Sequence, residues 1–288
     1  MSGVEKTLKR ETRFPPIILV FLAGVALSTA LFAVLRVRAQ ADLRRGFEWE
    51  SKLYTAALQQ VLDHIIEQVD ATGRLFDSTP GLTRRNFEVF VAEPLRHHPE
   101  VRSLAWIPLA TASQRASLES AARQEGIADF RITERLADGR LVSASERAEY
   151  YPIYYVEPRA GNEAELGFDL SSDNEQRQSL LKARDTGGMV TTQRFRIVQA
   201  QEDHVVFLIF RPVYRQGRPA VTVEERRQNL EGFVLGVFCV SDFVKDALMT
   251  ANVENVSVRI YEEASLVVRF SSTVTKEEVV RRSFETVE

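Results

Sequence analysis

The chain has 288 residues, enough for one membrane-spanning helix and one or two domains that each bury a core. Its 37 basic residues nearly balance 40 acidic ones, and the resulting formal charge of -3 argues against nucleic acid as a partner. A single cysteine, Cys239, excludes an intramolecular disulfide and a structural zinc site built on several thiolates. Its apolar neighbours predict a position in a core.

Residues 17–37 form the predicted transmembrane helix. Positions 17–35 are 19 consecutive residues without a charge, close to the roughly 20 that cross a bilayer. A cleaved signal peptide is the alternative, because a basic start at Lys6 and Lys9 and the small-residue run Ala39-Gln40-Ala41 resemble one. The apolar run exceeds the roughly 7 to 15 residues of a signal core, which favours an uncleaved anchor. Basic residues flank both ends, so charge alone leaves the orientation open.

Residues 38–79 are predicted to form a stalk helix. Pro80-Gly81 places its end near Ser78. One apolar stripe recurs at steps of three, four and seven residues and comprises Leu43, Phe47, Tyr54, Leu58, Val61, Leu62, Ile65, Ile66 and Val69. A stripe this long fits pairing with a second copy of the chain or packing against the chain's own domain, and both can hold for different parts.

Short helices and strand-like runs alternate beyond Pro80. Possible capping boxes at Thr111 with Gln114 and at Ser172 with Glu175 predict helix starts, with stops at Gly126 and Gly187. Strand-like runs cover residues 101–109, 130–134, 151–156, 189–198 and 204–214. This alternation predicts an α+β domain over residues 80–218 with an antiparallel sheet.

A polar stretch over residues 215–227 precedes a second set of elements. Predicted strands at 233–240, 256–262 and 266–271, with a short helix after Ser241, indicate a smaller domain of similar plan over residues 219–288. That domain looks incomplete, since no second apolar span follows it. We therefore expect the chain to be the N-terminal fragment of a longer receptor.

Several motifs resemble, in order and spacing, the landmarks of the CHASE domain. They are PEVRSLAWIP (residues 99–108), YPIYYVEP (151–158), GFDLSS (167–172), Arg177, ARDTG (183–187) and FRPVY (210–214). No single motif is specific, because each consists mostly of strand and cap residues. The resemblance covers residues 87–248.

The resemblance implies an extracytoplasmic sensor carried by a long stalk helix. It implies two PAS-like folds, a membrane-distal one at residues 80–218 that holds a small organic ligand and a truncated membrane-proximal one at residues 219–288. Residues 1–16 would then be a cytoplasmic tail, the span would lie in the cell's inner membrane, and the sensor would be periplasmic or extracellular. The family also implies a cytoplasmic histidine kinase or diguanylate cyclase, and the stripe of the stalk helix favours a homodimer.

Asp169 is the main candidate for a ligand contact. In the cytokinin receptors of this family an aspartate in the matching motif binds the purine edge of the ligand, and Phe168 stands beside it here. A carboxylate in a partly desolvated cleft would accept hydrogen bonds from ligand N–H groups. The alternative is that Asp169 caps the helix starting near Ser172. The resemblance also implies a main-chain contact at Thr191.

One position departs from the plant pattern. The resemblance aligns a ligand-binding hydroxyl of the plant receptors with Ala200, whose side chain has no donor or acceptor, which argues against cytokinin itself. Small-molecule sites are mostly apolar, so aromatic residues on the predicted strands are candidates for the pocket wall or for ordinary core. These are Trp106, Phe130, Tyr154, Phe195 and Phe207.

The sequence predicts no metal, cofactor or catalytic site. The four histidines lack metal-binding spacing, and neither a phosphate-binding glycine loop nor a nucleophile elbow occurs. We therefore expect no enzyme within this chain. The alternative to a small-molecule sensor is a membrane-anchored module that binds another protein, and a membrane-bound hydrolase ranks third because no nucleophile and base pair is indicated.

Overall fold

The computed structural model describes the secondary structure of residues 15–98, 100–192, 195–199, 202–250, 257–262, 265–272 and 282–285. Side-chain surroundings are described for residues 19–40, 52–98, 100–192 and 205–247. The chain divides into two compact units, Met1–Thr55 and Ala56–Glu288.

The described residues begin with one long helix, and shorter helices then recur between the strands. They are α1 (Pro15–Ser78), α2 (Arg84–His97), α3 (Arg115–Gln124), α4 (Asn174–Thr186), α5 (Val223–Asn229) and α6 (Val240–Thr250). Two short 3-10 turns cover Glu163–Glu165 and Leu170–Ser172. The end of α1 at Ser78 lies where the Pro80-Gly81 pair predicts it.

The strands are β1 (Val101–Pro108), β2 (Ala110–Thr111), β3 (Thr133–Arg135), β4 (Leu141–Ser143), β5 (Glu149–Tyr150), β6 (Tyr155–Glu157), β7 (Val190–Thr191), β8 (Phe195–Gln199), β9 (Glu202–Tyr214), β10 (Leu230–Cys239), β11 (Ser257–Glu262), β12 (Ser265–Ser272) and β13 (Arg282–Glu285). The main sheet has six strands in the order β6-β1-β10-β9-β7, with β8 also paired to β9. All of its pairings are antiparallel, which confirms the predicted α+β class.

The first unit contains the N-terminal part of α1. Leu19–Gln40 is the one stretch, within the described residues, that is long and apolar enough to cross a membrane, with a mean hydropathy of 2.1. Its side chains are exposed, Leu19 at 70% and Phe21 at 69%. An apolar surface of this kind is favourable in lipid and costly in water.

The second unit packs the C-terminal part of α1 against the sheet. Ala57, Val61, Ile65 and Val69 are buried at steps of four residues, and Phe76 continues the stripe seven residues on. The ring of Phe76 stacks on Trp106 of β1, with centroids 4.0 Å apart and an interplanar angle of 15°. This part of the predicted stripe therefore packs on the chain's own domain.

The main sheet is buried on both faces, and strand alternation assigns residues to them. On one face, Ala105, Leu235 and Phe210 lie side by side in neighbouring strands and join a large apolar cluster with α4. On the other face, Trp106 and Val234 lie beside Arg211, and this row packs against α1. We call the first the cluster face and the second the stalk face.

The position of β10 corrects the predicted domain boundary. We expected residues 233–240 to open a second domain, but β10 lies at the centre of the main sheet between β1 and β9. Phe233 and Leu235 belong to the cluster face, while Val234 and Gly236 belong to the stalk face. A strand that is apolar on both sides is stable only when it is paired on both edges and covered on both faces.

Two predicted helix starts also shift. α3 begins at Arg115, because the side chain of Gln114 accepts hydrogen bonds from the backbone N–H of Thr111 at 3.0 Å and from its hydroxyl at 2.9 Å, which holds a turn before the helix. α4 is capped by Asp173, which accepts from the backbone N–H of Gln176 at 2.9 Å, one residue after the expected Ser172.

Predicted strands in the middle of the chain are shorter or divided. The run at 130–134 corresponds to β3, the run at 151–156 to β6, and the run at 189–198 to β7 and β8. Beyond α6, the three strands β11, β12 and β13 form a separate antiparallel sheet in sequence order. The predicted strands 256–262 and 266–271 are therefore present within it.

Candidate ligand-binding site

Asp169 is fully buried at the start of the 3-10 turn Leu170–Ser172. Its Oδ1 accepts hydrogen bonds from the Ser171 backbone N–H at 3.1 Å and the Ser171 hydroxyl at 2.8 Å. The same oxygen accepts from the Tyr151 backbone N–H at 2.9 Å. A short polar side chain before a turn is a favoured cap, because it satisfies backbone donors that the turn leaves free.

Arg147 supplies the counter-charge for this buried carboxylate. Its Nη1 donates to Asp169 Oδ2 at 2.9 Å, while its Nη2 donates to Ser145 Oγ at 2.8 Å and pairs with Glu134. The Arg147 side chain is 26% exposed and Asp169 is 0% exposed, so the guanidinium is the solvent-accessible end of the pair. We call Asp169, Arg147 and Glu134 the charged triad; it holds two acids and one base.

The backbone around Asp169 is held between two other segments. Its N–H donates to the Thr133 carbonyl at 2.8 Å, and the Thr133 N–H donates to the Gly167 carbonyl at 2.9 Å. On the other side, the Ile153 N–H donates to the Phe168 carbonyl at 3.0 Å. Gly167 has a φ of +86° and contacts the Arg131 backbone so closely that a Cβ would overlap it, so only glycine fits there.

Two buried acceptors close to this segment have no hydrogen bond among the described residues. They are Oγ1 of Thr133, which is 8% exposed, and Oε1 of Gln176, which is 4% exposed. Gln176 lies in the first turn of α4, the helix that follows the Asp169 turn. Buried polar atoms normally have partners, and an unsatisfied one costs about 1 to 3 kcal/mol. These two atoms can accept N–H or O–H donors.

Of the predicted aromatic residues, Phe168 belongs to the apolar cluster, whereas Phe130 and Tyr154 are buried against each other. Phe168 is buried in the apolar cluster, and the guanidinium of Arg135 lies 5.4 Å from its ring centroid. Phe130 and Tyr154 meet edge to face with centroids 5.6 Å apart. The guanidinium of Arg84 lies 5.4 Å from the Tyr154 ring.

Trp106 and Phe207 lie on the opposite face of the sheet. Trp106 stacks on Phe76 of α1, and Phe207 stacks on Phe238 with centroids 5.6 Å apart. Phe207 alternates with Phe210 on β9, so it shares the face of Arg211. The structure therefore does not bring these two residues together with Asp169.

Thr191 lies in the short edge strand β7, opposite Ile209 of β9, and is exposed. The next residue, Thr192, is buried and its hydroxyl accepts from the Leu208 N–H at 3.2 Å. Phe195 begins β8 opposite Val206, and its side chain lies outside the described residues. Ala200 also lies outside them.

A cavity of about 550 Å³ lies at the start of α3, and Asp169 is not among its lining residues. Arg115 at its wall donates to the Ala144 carbonyl at 2.8 Å and to Ser143 Oγ at 3.0 Å. Tyr150, also in the wall, accepts from Arg115 at 3.3 Å. These internal bonds commit the Arg115 guanidinium to holding β4 and the following loop.

Sequence reasoning missed Arg147, Glu134, Thr133 and Gln176. Each lies in a segment whose local pattern is that of an ordinary polar loop, strand or helix surface. Only the three-dimensional approach of residues 133–134, 147 and 169 reveals the charged triad, so sequence spacing carried no signal for it.

The hydroxyl of Tyr151, whose backbone contacts Asp169, donates to Glu149 at 2.9 Å. Burial raises the pKa of Tyr151, and the negative charge of Glu149 raises it further.

Comparison with protein families gives one match that covers most of the chain. The model of the CHASE domain matches residues 80–269, which confirms the resemblance seen in the motifs. The matched range holds the main sheet, α2 to α6 and the charged triad.

The similar proteins include histidine kinases. Hybrid signal transduction histidine kinase A of Dictyostelium discoideum is 32% identical over 125 residues, covering 41% of this chain and 6% of that kinase. Probable histidine kinase 6 of Oryza sativa subsp. japonica is 30% identical over 122 residues, covering 42% of this chain and 12% of the kinase. The chain thus spans a small part of the relatives it matches.

Among solved structures, the ligand-binding domain of the Pseudomonas aeruginosa PAO1 amino acid chemoreceptor PctC in complex with GABA is loosely similar. The overlay has a TM-score of 0.34 and 12% identity, and it covers 78% of this chain and 91% of that domain.

Proposed function

Because the chain belongs to the CHASE domain family, we propose that it is the extracytoplasmic sensory region of a transmembrane receptor that binds a small organic ligand. The observation that carries the proposal is the family match over residues 80–269, directly after a helix with one candidate membrane span. CHASE domains are sensory rather than catalytic. The output would be a cytoplasmic histidine kinase or diguanylate cyclase outside this chain, and the sensor would lie on the periplasmic or extracellular side of the cell membrane.

We propose that the ligand binds on the cluster face beside Asp169, with Phe168 as an apolar contact and the Thr191 main chain at the sheet edge. The buried acceptors of Thr133 and Gln176 support this location, because a ligand with N–H groups would satisfy them. Among the described residues, Oδ2 of Asp169 has one donor, Arg147, whereas Oδ1 has three. The ligand would therefore approach Oδ2 and share or replace the Arg147 contact.

This arrangement favours ligands rich in hydrogen-bond donors. In the described part of the proposed site, two acidic side chains pair with one guanidinium, and the buried oxygens of Thr133 and Gln176 are further acceptors. Amines, amidines and the N–H edge of a purine would complement that surplus of acceptors. Phe130 and Tyr154 remain candidates for the apolar wall.

The test is a thermal-shift titration of the full chain in nanodiscs with adenine, agmatine and a set of amino acids. A ligand that binds the folded state raises the unfolding temperature in a saturable way. We expect at least one probe to do so in the wild type and the shift to be lost in Asp169→Asn and weakened in Gln176→Leu. Asp173→Asn is the matched control, since it alters a neighbouring helix cap. Equal shifts in all variants would refute the proposed site.

We also propose that two copies pair along the stalk. Ile66 is 42% exposed, and Leu62 and Leu58, which are partly buried, lie four and eight residues before it. This second stripe is only partly covered within the described residues and fits a helix from another copy. Cross-linking of Ile66→Cys in a Cys239→Ser background should give a covalent dimer, with exposed Glu67→Cys as the control position. Equal cross-linking at both sites would argue against a specific interface.

A second candidate function is a membrane-anchored module that binds another protein. The observation in its favour is an exposed apolar pair on α2, with Val89 at 67% and Phe90 at 39% exposure. Val89→Glu should leave a small-molecule response unchanged. If no probe shifts the unfolding temperature and the Val89→Glu variant loses a partner that the wild type holds in its native membrane, this second function replaces the first.

A further inference from the structure

We infer that Arg211 is the positioning residue through which the sensor sheet holds the end of the stalk helix. Its side chain reaches from β9 to α1 and meets Asp70, Gly73 and Asp77 there. We call these four residues the stalk clasp. The contacts of the clasp do not depend on any ligand. Their role in passing the effect of ligand binding to the stalk helix rests on the proposed function.

The hydrogen bonds of the clasp are short and directional. Nε of Arg211 donates to Asp70 Oδ1 at 2.9 Å, and Nη2 donates to Asp77 Oδ2 at 2.8 Å. The two aspartates are seven residues apart, about two helical turns, so both face β9. Arg211 is only 14% exposed, so the fork is largely shielded from solvent.

Gly73 makes room for the arginine between the two aspartates. A methyl group at this position would overlap Cδ, Nε and Nη1 of Arg211. Glycine is a poor residue for a helix interior, where alanine is favoured. Its presence in the last two turns of α1 is therefore explained by the passage of Arg211 rather than by helix formation.

The electrostatics of the clasp keep the guanidinium charged. Burial acts to lower the pKa of Arg211, but hydrogen bonds and charge interactions with Asp77 and Asp70 outweigh it and raise that pKa above its ordinary value. Asp70 is shared, because the exposed Arg74 also pairs with it. Asp77 is the partner for which no second cation is described.

β9 connects the clasp to the proposed ligand side of the sheet. Phe210 is buried in the apolar cluster that also contains Phe168, and Val190 of β7 pairs with it. Arg211 is the next residue and projects from the opposite face, as alternation along a strand requires. If ligand binding on the cluster face displaces β9, the guanidinium of Arg211 therefore moves relative to α1.

Hydrogen exchange of the full chain in nanodiscs, without added ligand, tests the clasp. We expect Arg211→Lys, which keeps the charge but loses the fork, to speed amide exchange over residues 70–78 by about tenfold or more, as loss of charge-assisted hydrogen bonds implies. Exchange in β1 and β10 should stay unchanged. Arg74→Lys is the control on the same helix, because its side chain is 59% exposed. Unchanged exchange over residues 70–78, or equal acceleration throughout the sheet, would overturn the inference.

Gly73→Ala gives an independent test in which the sign of the effect depends on Arg211. In the wild type the added methyl should displace the arginine and speed exchange over residues 70–78. In an Arg211→Ala background the same substitution should slow exchange there, because alanine favours the helix and nothing blocks it. The same sign in both backgrounds would overturn the role of Gly73. Neither test involves a ligand, so failure here would leave the proposed ligand site untouched, and failure of the ligand titration would leave the clasp standing.

Discussion

Replacing Asp169 with asparagine tests how the buried carboxylate stabilises the domain. The amide keeps an acceptor for the Tyr151 and Ser171 donors, but its NH₂ group would face the guanidinium of Arg147. A hydrogen bond to a charged group contributes about 1.5 to 3 kcal/mol, and the partial exposure of Arg147 reduces that value. We therefore expect Asp169→Asn to lower the free energy of unfolding by about 2 kcal/mol. Asp169→Ala should cost about 4 kcal/mol, since three neutral hydrogen bonds are also lost.

The double variant separates the ion pair from general damage. Arg147→Met alone leaves a buried carboxylate without its counter-charge and should cost about 2 kcal/mol. Removing both charges together avoids that penalty. The loss of unfolding free energy in the double variant Asp169→Asn with Arg147→Met should therefore be smaller than the sum of the two single losses by about 1 to 2 kcal/mol. Urea unfolding followed by the fluorescence of Trp106, in a Trp49→Phe background, measures these differences. Strict additivity, or an Asp169→Asn variant as stable as the wild type, would refute the reasoning.

Three further outcomes follow from packing and charge. Phe76→Ala should cost about 3 kcal/mol and shift the Trp106 emission to the red, because the indole loses its stacked ring; an unchanged spectrum would contradict the stalk contact. Gly167→Ala should lower the unfolding temperature more than Gly139→Ala, since both have positive φ but only Gly167 touches a carbonyl; equal losses would contradict this. Hydrogen bonds from Arg227 and Arg184 depress the pKa of Asp185 in the folded protein. The ionised carboxylate therefore stabilises the fold above the ordinary aspartate pKa, and this stabilisation is lost as the pH falls through the depressed pKa of the folded state. Asp185→Asn should thus lose under about 1 kcal/mol at pH 7, and the difference from wild type should shrink below about pH 4.

The sequence predicted the elements that depend on local chemistry. A charge-free run predicted the anchor, Pro80-Gly81 predicted the end of α1, and Gly187 predicted the end of α4, where it takes a left-handed conformation. These features follow from hydropathy, proline sterics and glycine freedom, which act over a few residues. The apolar stripe of the stalk helix was also predicted from its helical spacing, although that spacing does not indicate which surface packs against it.

Long-range pairing could not be predicted from the same patterns. β10 looked like the start of a second domain because a polar stretch precedes it, yet it pairs with β1, well over 100 residues earlier in the chain. Strand order depends on contacts between distant segments, which local propensity does not encode. For the same reason Trp106 was a candidate for the pocket wall, although it lies on the stalk face.

Asp169 was a candidate from the sequence, whereas the residues that contact it were not. The family motif identified Asp169, and the competing role as a helix cap was also foreseen; the structure gives that residue a cap bond from Ser171. Arg147 and Glu134 lie 22 and 35 residues before Asp169 in sequence, Arg147 in a loop and Glu134 in the short strand β3, both of ordinary polar composition. Their approach depends on the tertiary fold, and so does the burial that leaves Thr133 and Gln176 with free acceptors.

Hydrogen exchange of the full chain at saturating concentrations of the probe with the largest thermal shift tests the central claim most directly. A small molecule bound beside Asp169 should slow exchange of amides in residues 167–176 and leave residues 19–40 unchanged, because ligand contacts protect only the elements they touch. Protection confined to α2, or none with any donor-rich probe while the fold stays intact, would contradict a small-molecule sensor.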